Sequence, residues 1–516
     1  MWTKAFLLAC AAALPAATTA AQDVPALPPE LLDMSDLPDV ATPEWLSDTV
    51  TRPHGNIATS ALPPEVMVMP LGAVTLEAVG LLPSAITGLP PALWGSSDVE
   101  TLARLFRAQP VQGLPAIQSF TETLALAELD PPADAPPDLP QLFLARIDML
   151  LARGALDPAQ ALIERAGAAH PEVFRRWFDV ALLTGNADRA CQTMTASPDI
   201  APTLPARILC LARAGDWPAA ALTLGTGEAL GRITTAEGDL IARFLDPELF
   251  EGAPALPPDP DLTPLAFHMR AAIGERPSTT SLPLAFAHAD LATLAGWNAQ
   301  LDAAERLTRS GAIDAGQWLA IYTARVPSAS GGVWDRVAAL QRFDAALLAG
   351  DIAETVTRLA PAWAAMESAG LQTAFAETYA QRILRLPLTG EAGVLARRIA
   401  LLSPVYETVA QAAVPQTEEE RFAFDIARGL PTTPPAGADL TERAVAAAFG
   451  PDPVAHRYAW FVQNDRLGEA LLRAALVLSD PARDPGDLTD ALALYRAAGL
   501  EDVARRAALQ LILTGS

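Results

Sequence analysis

LLARGALDPAQALIERAG (150–167), LLTGNADRACQTM (182–194) and CLARAGDWPAAALTL (210–224) write one phrase three times: an apolar run, a glycine, a short polar joint and a second run carrying alanine. The glycines stand at 154, 185 and 215 and the alanines at 159, 190 and 220, so the phrase returns every 30 or 31 residues. Periods of that size belong to helical hairpins, which stack because one hairpin cannot bury its own apolar face. Gly154, Gly185 and Gly215 are expected to end a first helix in a left-handed turn. Ala159, Ala190 and Ala220 are expected to let the second helix approach closely.

The chain around these phrases has 516 residues, 51% of them hydrophobic, which is enough for large cores and about two to four domains. The apolar excess is mostly alanine and leucine, side chains that lose little freedom in a helix. The expected fold is all-α, an α-solenoid of stacked helical hairpins behind a proline-rich, mostly irregular N-terminal arm.

MWTKAFLLACAAALPAATTAAQ has one positive charge at Lys4, an apolar stretch over 5–14, and small residues Thr19 and Ala21 before a cut ahead of Gln22. It predicts a secretory signal peptide over 1–21 and a periplasmic mature protein without an integral membrane segment. A rival reading takes Leu7-Leu8-Ala9-Cys10 as a lipoprotein box with Cys10 acylated. Residues 22–96 form the arm, where proline every few residues stops helices. Within it EVMVMPLGAVTLEAV allows a short strand pair that Pro70 confines to an edge, and Trp45 and Trp94 are expected to pin the arm to the body.

At Ser97 the pattern turns helical. Ser97 and Glu100 form a predicted capping box, followed by Val99, Leu102, Leu105 and Phe106 on one face. A helical repeat block is expected over 97–250 and a proline-rich linker over 251–282, opening on EGAPALPPDPDLTP. A second helical block covers 283–428, where the phrase loosens to LTRSGAIDAGQWL and LLAGDIAETV and Thr417 and Glu420 suggest another capping box. The loop LPTTPPAGA then leads a C-terminal helical segment over 429–516. The phrase resembles the middle of a tetratricopeptide repeat, where a glycine-containing turn separates two helices and small residues fill the tight contacts. That resemblance implies an α-solenoid. The period is shorter than that family's and its tryptophan and tyrosine are missing, so no peptide groove carries over.

The net charge of −24 opposes binding to nucleic acid and to anionic lipid. Lys4 is the sole lysine, so cleavage before Gln22 leaves none, as GC-rich codon bias would produce. Schiff-base catalysis, a Walker-type phosphate lysine and a Ser-x-x-Lys nucleophile are thereby excluded. The five histidines show no metal-ligand spacing, and His288 and Asp290 in FAHADLA stand two apart, on different sides of a helix. No Gly-x-Ser-x-Gly elbow, nucleotide fingerprint or closely spaced cysteine pair occurs, so no catalytic, metal or cofactor residues are assigned and no cofactor is expected. Ser/His/Asp chemistry assembled by tertiary proximity stays open at this level. Glu367-Ser368 in AAMESAGLQTAF resembles the catalytic glutamate and following serine of lytic transglycosylases, without the Gly-Leu-Met-Gln type of segment expected downstream. Glu367 reads instead as a solvated residue near a helix end that Gly370 terminates. Most tryptophans should be core.

Cys191 lies about five residues before the turn SPDIAPTLP and Cys210 about as far after it, which sets them at similar height on antiparallel helices. A disulfide between Cys191 and Cys210 is expected, with two buried free thiols as the alternative. Exported helical repeats without recognisable catalytic groups point to a non-catalytic periplasmic scaffold or adaptor binding other cell-envelope proteins. The competing expectation is a cell-wall glycan-acting enzyme with a superhelical domain.

Overall fold

The computed structural model describes residues 43–47 and 75–515, apart from 137–138, 169, 198–199, 293–294 and 452–454. The expected signal segment with Lys4, Cys10 and Gln22, His54 and most of the expected arm lie outside the described residues. Among the described residues every regular element is a helix, and the single bridge, Leu82 with Ala127, is isolated. None of these helices is long and apolar enough to cross a membrane.

The repeated phrase builds one joint again and again. Gly154, Gly185 and Gly215 have φ of 74°, 79° and 81°, and Gly311, Gly350 and Gly370 take the same left-handed conformation. At each joint the amide after the glycine bonds five residues back: Ala155 to Leu150, Asn186 to Ala181, Asp216 to Leu211, Ala312 to Leu307, Asp351 to Ala346 and Leu371 to Met366, at 2.7–3.1 Å. This is the Schellman closure, which satisfies carbonyls that the helix end leaves open. Ala159, Ala190 and Ala220 are fully buried, as close packing of the second helices requires.

Several local expectations change. Asp98, not Ser97, caps helix Val99–Arg107 by accepting from the Thr101 amide at 2.8 Å. The apolar face Val99, Leu102, Leu105 and Phe106 is buried as read. Thr417 caps Glu418–Ala427, while Glu420 accepts from the Gln416 amide instead of closing the box on Thr417. Residues 65–74 of the expected strand pair lie outside the described residues, and Leu76–Ala78 is a single 3₁₀ turn. That turn carries Glu77 to the start of helix Gln141–Ala152, where Pro140 offers no side-chain cap and Glu77 accepts from Leu142 and Phe143 at 3.1 and 2.7 Å. The stretch 251–282 contains a helix, Pro264–Ala272, because Thr263 caps it and Leu265, Phe267 and Met269 enter the core. The preceding prolines are tied down as well: Arg243 donates to the Pro254 carbonyl at 2.8 Å and the Leu256 amide to Glu275 at 3.0 Å.

Two apolar cores result. One is centred on residues 287–409; the other joins residues 45–286 to residues 401–511. The C-terminal helices therefore lie on the first ones. Helix Leu467–Ser479 packs on Val99–Arg107, and helix Glu501–Thr514 packs on Pro115–Leu126. Gly468 lets Leu467–Ser479 start close under the segment before Val99–Arg107, since a Cβ there would fall 2.5 Å from the Trp94 ring. Trp94 also meets Phe106 edge to face, and Trp45 meets Phe286 in the same way, at 5.8 Å each.

Candidate docking surface

Helix Trp217–Ala229 follows the Gly215 joint; Asp216 caps it through the Ala219 amide at 3.1 Å and Pro218 stands in its first turn. One side packs on helix Leu204–Arg213 and buries Ala220, Leu224 and Gly227. Gly227 is needed there, since a Cβ would strike Ile233 at 2.5 Å. The opposite side, which amphipathic patterning would make polar, is also apolar. Trp217, Leu222 and Leu230 are 48%, 73% and 68% exposed, and Pro218, Ala221, Gly225 and Ala229 are exposed between them, with Thr226 and Glu228 the exposed polar residues of the same stretch. No charged residue occurs from Trp217 to Gly227. A smaller patch of the same kind sits at the Gly350 joint, where Leu348, Ile352 and Val356 face solvent. Monomeric surfaces rarely leave large apolar residues together, and such patches mark contacts with other molecules.

Cys191 and Cys210 lie just before this helix, at disulfide distance with Cα atoms 5.1 Å apart. They join helix Ala187–Ala196 to Leu204–Arg213, the partner on which Trp217–Ala229 rests. A covalent brace at that place would hold the exposed helix in a fixed frame.

The structure disperses the residues that could suggest chemistry. His288 donates from Nε2 to the Gly154 carbonyl at 2.5 Å, fastening the second block to the first repeat joint instead of bonding locally. Its neighbour Asp290 bonds Arg276 at 2.8 Å and Thr279, so the two share no reacting centre. Burial lowers the pKa of His288 and of His268, holding both rings neutral. His170 accepts from the Glu172 amide at its own helix start. Glu367 is 47% exposed with Arg398 at 4.0 Å, and Ser368 donates to the Ala365 carbonyl within its helix. Neither has the desolvated setting a general acid needs. No group of three potential metal ligands occurs among the described residues. Trp45, Trp94, Trp177, Trp297, Trp318 and Trp363 are buried, leaving Trp217 the most exposed described tryptophan.

Nothing in the repeat phrase alone distinguishes Trp217–Ala229 from its neighbours, and its run of apolar residues without polar period was the available signal. Comparison with protein-family models, with curated proteins and with solved structures finds no match.

Proposed function

We propose that the chain is a non-catalytic periplasmic helical-repeat scaffold or adaptor that holds other cell-envelope proteins. The observation that carries this reading is the exposed apolar face of helix Trp217–Ala229, uncharged from Trp217 to Gly227. In this reading residues 1–21 are removed on export and residues 22–96 form the arm. The hairpins of 97–250 and 283–428 stack as an α-solenoid, and 429–516 closes it against the first helices. An oxidising compartment suits a Cys191–Cys210 bond, and the acidic surface keeps the protein soluble and away from phosphate-rich partners.

Affinity capture from envelope extract tests the reading. One or a few envelope proteins recovered in stoichiometric amount, and lost when Leu222→Glu is used as bait, are the expected result. Recovery of no partner, together with glycan cleavage that vanishes in Glu367→Gln, would overturn it.

A further inference from the structure

Helix Pro115–Leu126, the joint between Trp297–Arg309 and Ala315–Thr323, the start of Gln372–Ile383 and the last helix Glu501–Thr514 line a cavity of about 210 Å³ that opens to solvent. Its lining brings together three carboxylates, Glu122, Asp314 and Glu377, and two guanidiniums, Arg309 and Arg506. They come from four distant parts of the chain.

Glu122, Arg309 and Arg506 are half-buried, Asp314 and Glu377 are exposed at the rim, and none of the five is matched closely to another. Glu122 has no hydrogen-bond or ion-pair partner among the described residues. Arg506 reaches Glu377 only at 4.0 Å and Asp502 only at 3.9 Å, beyond hydrogen-bond range. Arg309 donates through Nη1 to the Ala369 carbonyl at 3.1 Å, and its buried Nε has no acceptor among the described residues. Burial raises the carboxyl pKa of both Glu122 and Glu377, and the nearby Asp314 adds to the effect at Glu377. The protein pairs its fully buried charges closely. Asp148 bonds Arg176 at 2.6 Å and Arg107 at 3.1 Å, Glu305 bonds Arg336 at 2.7 Å through both oxygens, and Glu469 bonds Arg473 at 2.9 Å. Groups removed from water are normally satisfied, so the half-buried Glu122 carboxylate and the buried Arg309 Nε leave an acceptor and a donor for a ligand to meet, with Glu377 and Arg506 loosely paired beside them.

We propose that this cavity binds a small zwitterion of amino-acid size, its ammonium held by Glu122 and Glu377 and its carboxylate by Arg309 and Arg506. Both signs of charge line one space. A metal cation would meet two guanidiniums and a simple anion three carboxylates, whereas a molecule carrying an ammonium and a carboxylate answers both. The planar fork of arginine suits a carboxylate. The volume lies below the roughly 300 Å³ at which pockets for drug-sized molecules begin, which excludes an oligosaccharide or a folded peptide segment. A bound ligand would also tie the first block, the middle of the chain and the last helix together, so occupancy should stabilise the fold by mass action.

Isothermal titration of the purified full chain with the free amino acids tests the proposal, with acetate and methylamine as single-charge probes and a dipeptide as the probe with its charges one peptide unit further apart. At least one amino acid is expected to bind at a single site, while acetate, methylamine and the dipeptide bind more weakly. Glu377→Gln and Arg506→Gln should each weaken that binding about 10- to 100-fold, as loss of a charged hydrogen bond does, and Glu391→Gln at the exposed surface should leave it unchanged. Where Arg506→Gln changes the helical circular dichroism, Arg506→Lys keeps the charge without the fork and should still weaken binding. No saturable heat with any amino acid up to about 10 mM, a weaker limit than specific sites reach, would overturn the proposal. So would acetate, methylamine or the dipeptide binding as tightly as the best amino acid, or variants that leave the affinity unchanged.

Discussion

The backbone amide of Ala116 donates to Oε1 of Gln510 at 3.0 Å, across 394 residues of chain. Ala116 is in the first turn of Pro115–Leu126, where amides have no intrahelical acceptor, so a residue near the C-terminus completes a helix near the start. Gln510→Leu should leave that buried amide unpaired and lower stability by about 1–3 kcal/mol in urea unfolding. An unchanged midpoint would show that the ends do not meet in solution.

The Cys191–Cys210 pair should be bonded in protein purified under non-reducing conditions. Intact mass after alkylation without reduction should show neither thiol labelled in the denatured chain, and reduction should expose two. Closing a loop of this length stabilises by about 3 kcal/mol, so the Cys191→Ser, Cys210→Ser variant should melt lower. Two reactive thiols before reduction would refute the bond and support buried free cysteines.

Ser47 donates its amide and its hydroxyl to the fully buried Asp179 at 2.8 and 2.6 Å, holding the described piece of the arm on helix Pro171–Leu183. Burial pushes the Asp179 carboxyl up to about 7, against the opposing pull of the Ser47 bonds and of Arg175 and Arg176. An acid with a raised folded pKa binds its proton more tightly folded than unfolded. Its contribution is therefore full below about pH 4 and is lost as pH rises to about 7, on the order of 4 kcal/mol in total. Asp179→Asn should flatten the fall in melting temperature between pH 5 and 7.5. A variant that follows the parent curve would remove Asp179 as its cause.

Limited proteolysis should cut first within 251–261, where nearly every residue is exposed, ahead of the better-covered 430–438. Arg243, Arg270 and Glu275 hold Pro254, Leu256 and Pro257, so Arg243→Ala should speed that cut. First cleavage inside a repeat hairpin would contradict the packing described.

The hairpins were legible because their determinants are local. A glycine free to adopt positive φ, an alanine at the tight contact and an apolar run recur in one short window, and each of Gly154, Gly185 and Gly215 does what its spacing implies. The spacing of Cys191 and Cys210 around one turn likewise put the two at the same height. What escaped has no local period. Glu77 caps a helix 65 residues away, Gln510 caps one 394 residues away, and Gly468 reads as an ordinary helical glycine until Trp94 lies over it. The cavity charges are equally silent, because Glu122, Arg309, Glu377 and Arg506 acquire meaning only when the last helix meets the first block. Asp98 outcompeted Ser97 as a cap by one residue, a choice that propensity does not resolve.

The adaptor reading stands or falls on the exposed face of Trp217–Ala229. A photoreactive amino acid placed at Leu222 in the exported protein, with the exposed Glu237 as the control position, measures directly what covers that face in cells. The account predicts a discrete crosslink to one envelope protein at position 222, absent at 237 and abolished by Trp217→Glu. No crosslink at 222, or the same products at both positions, would contradict it.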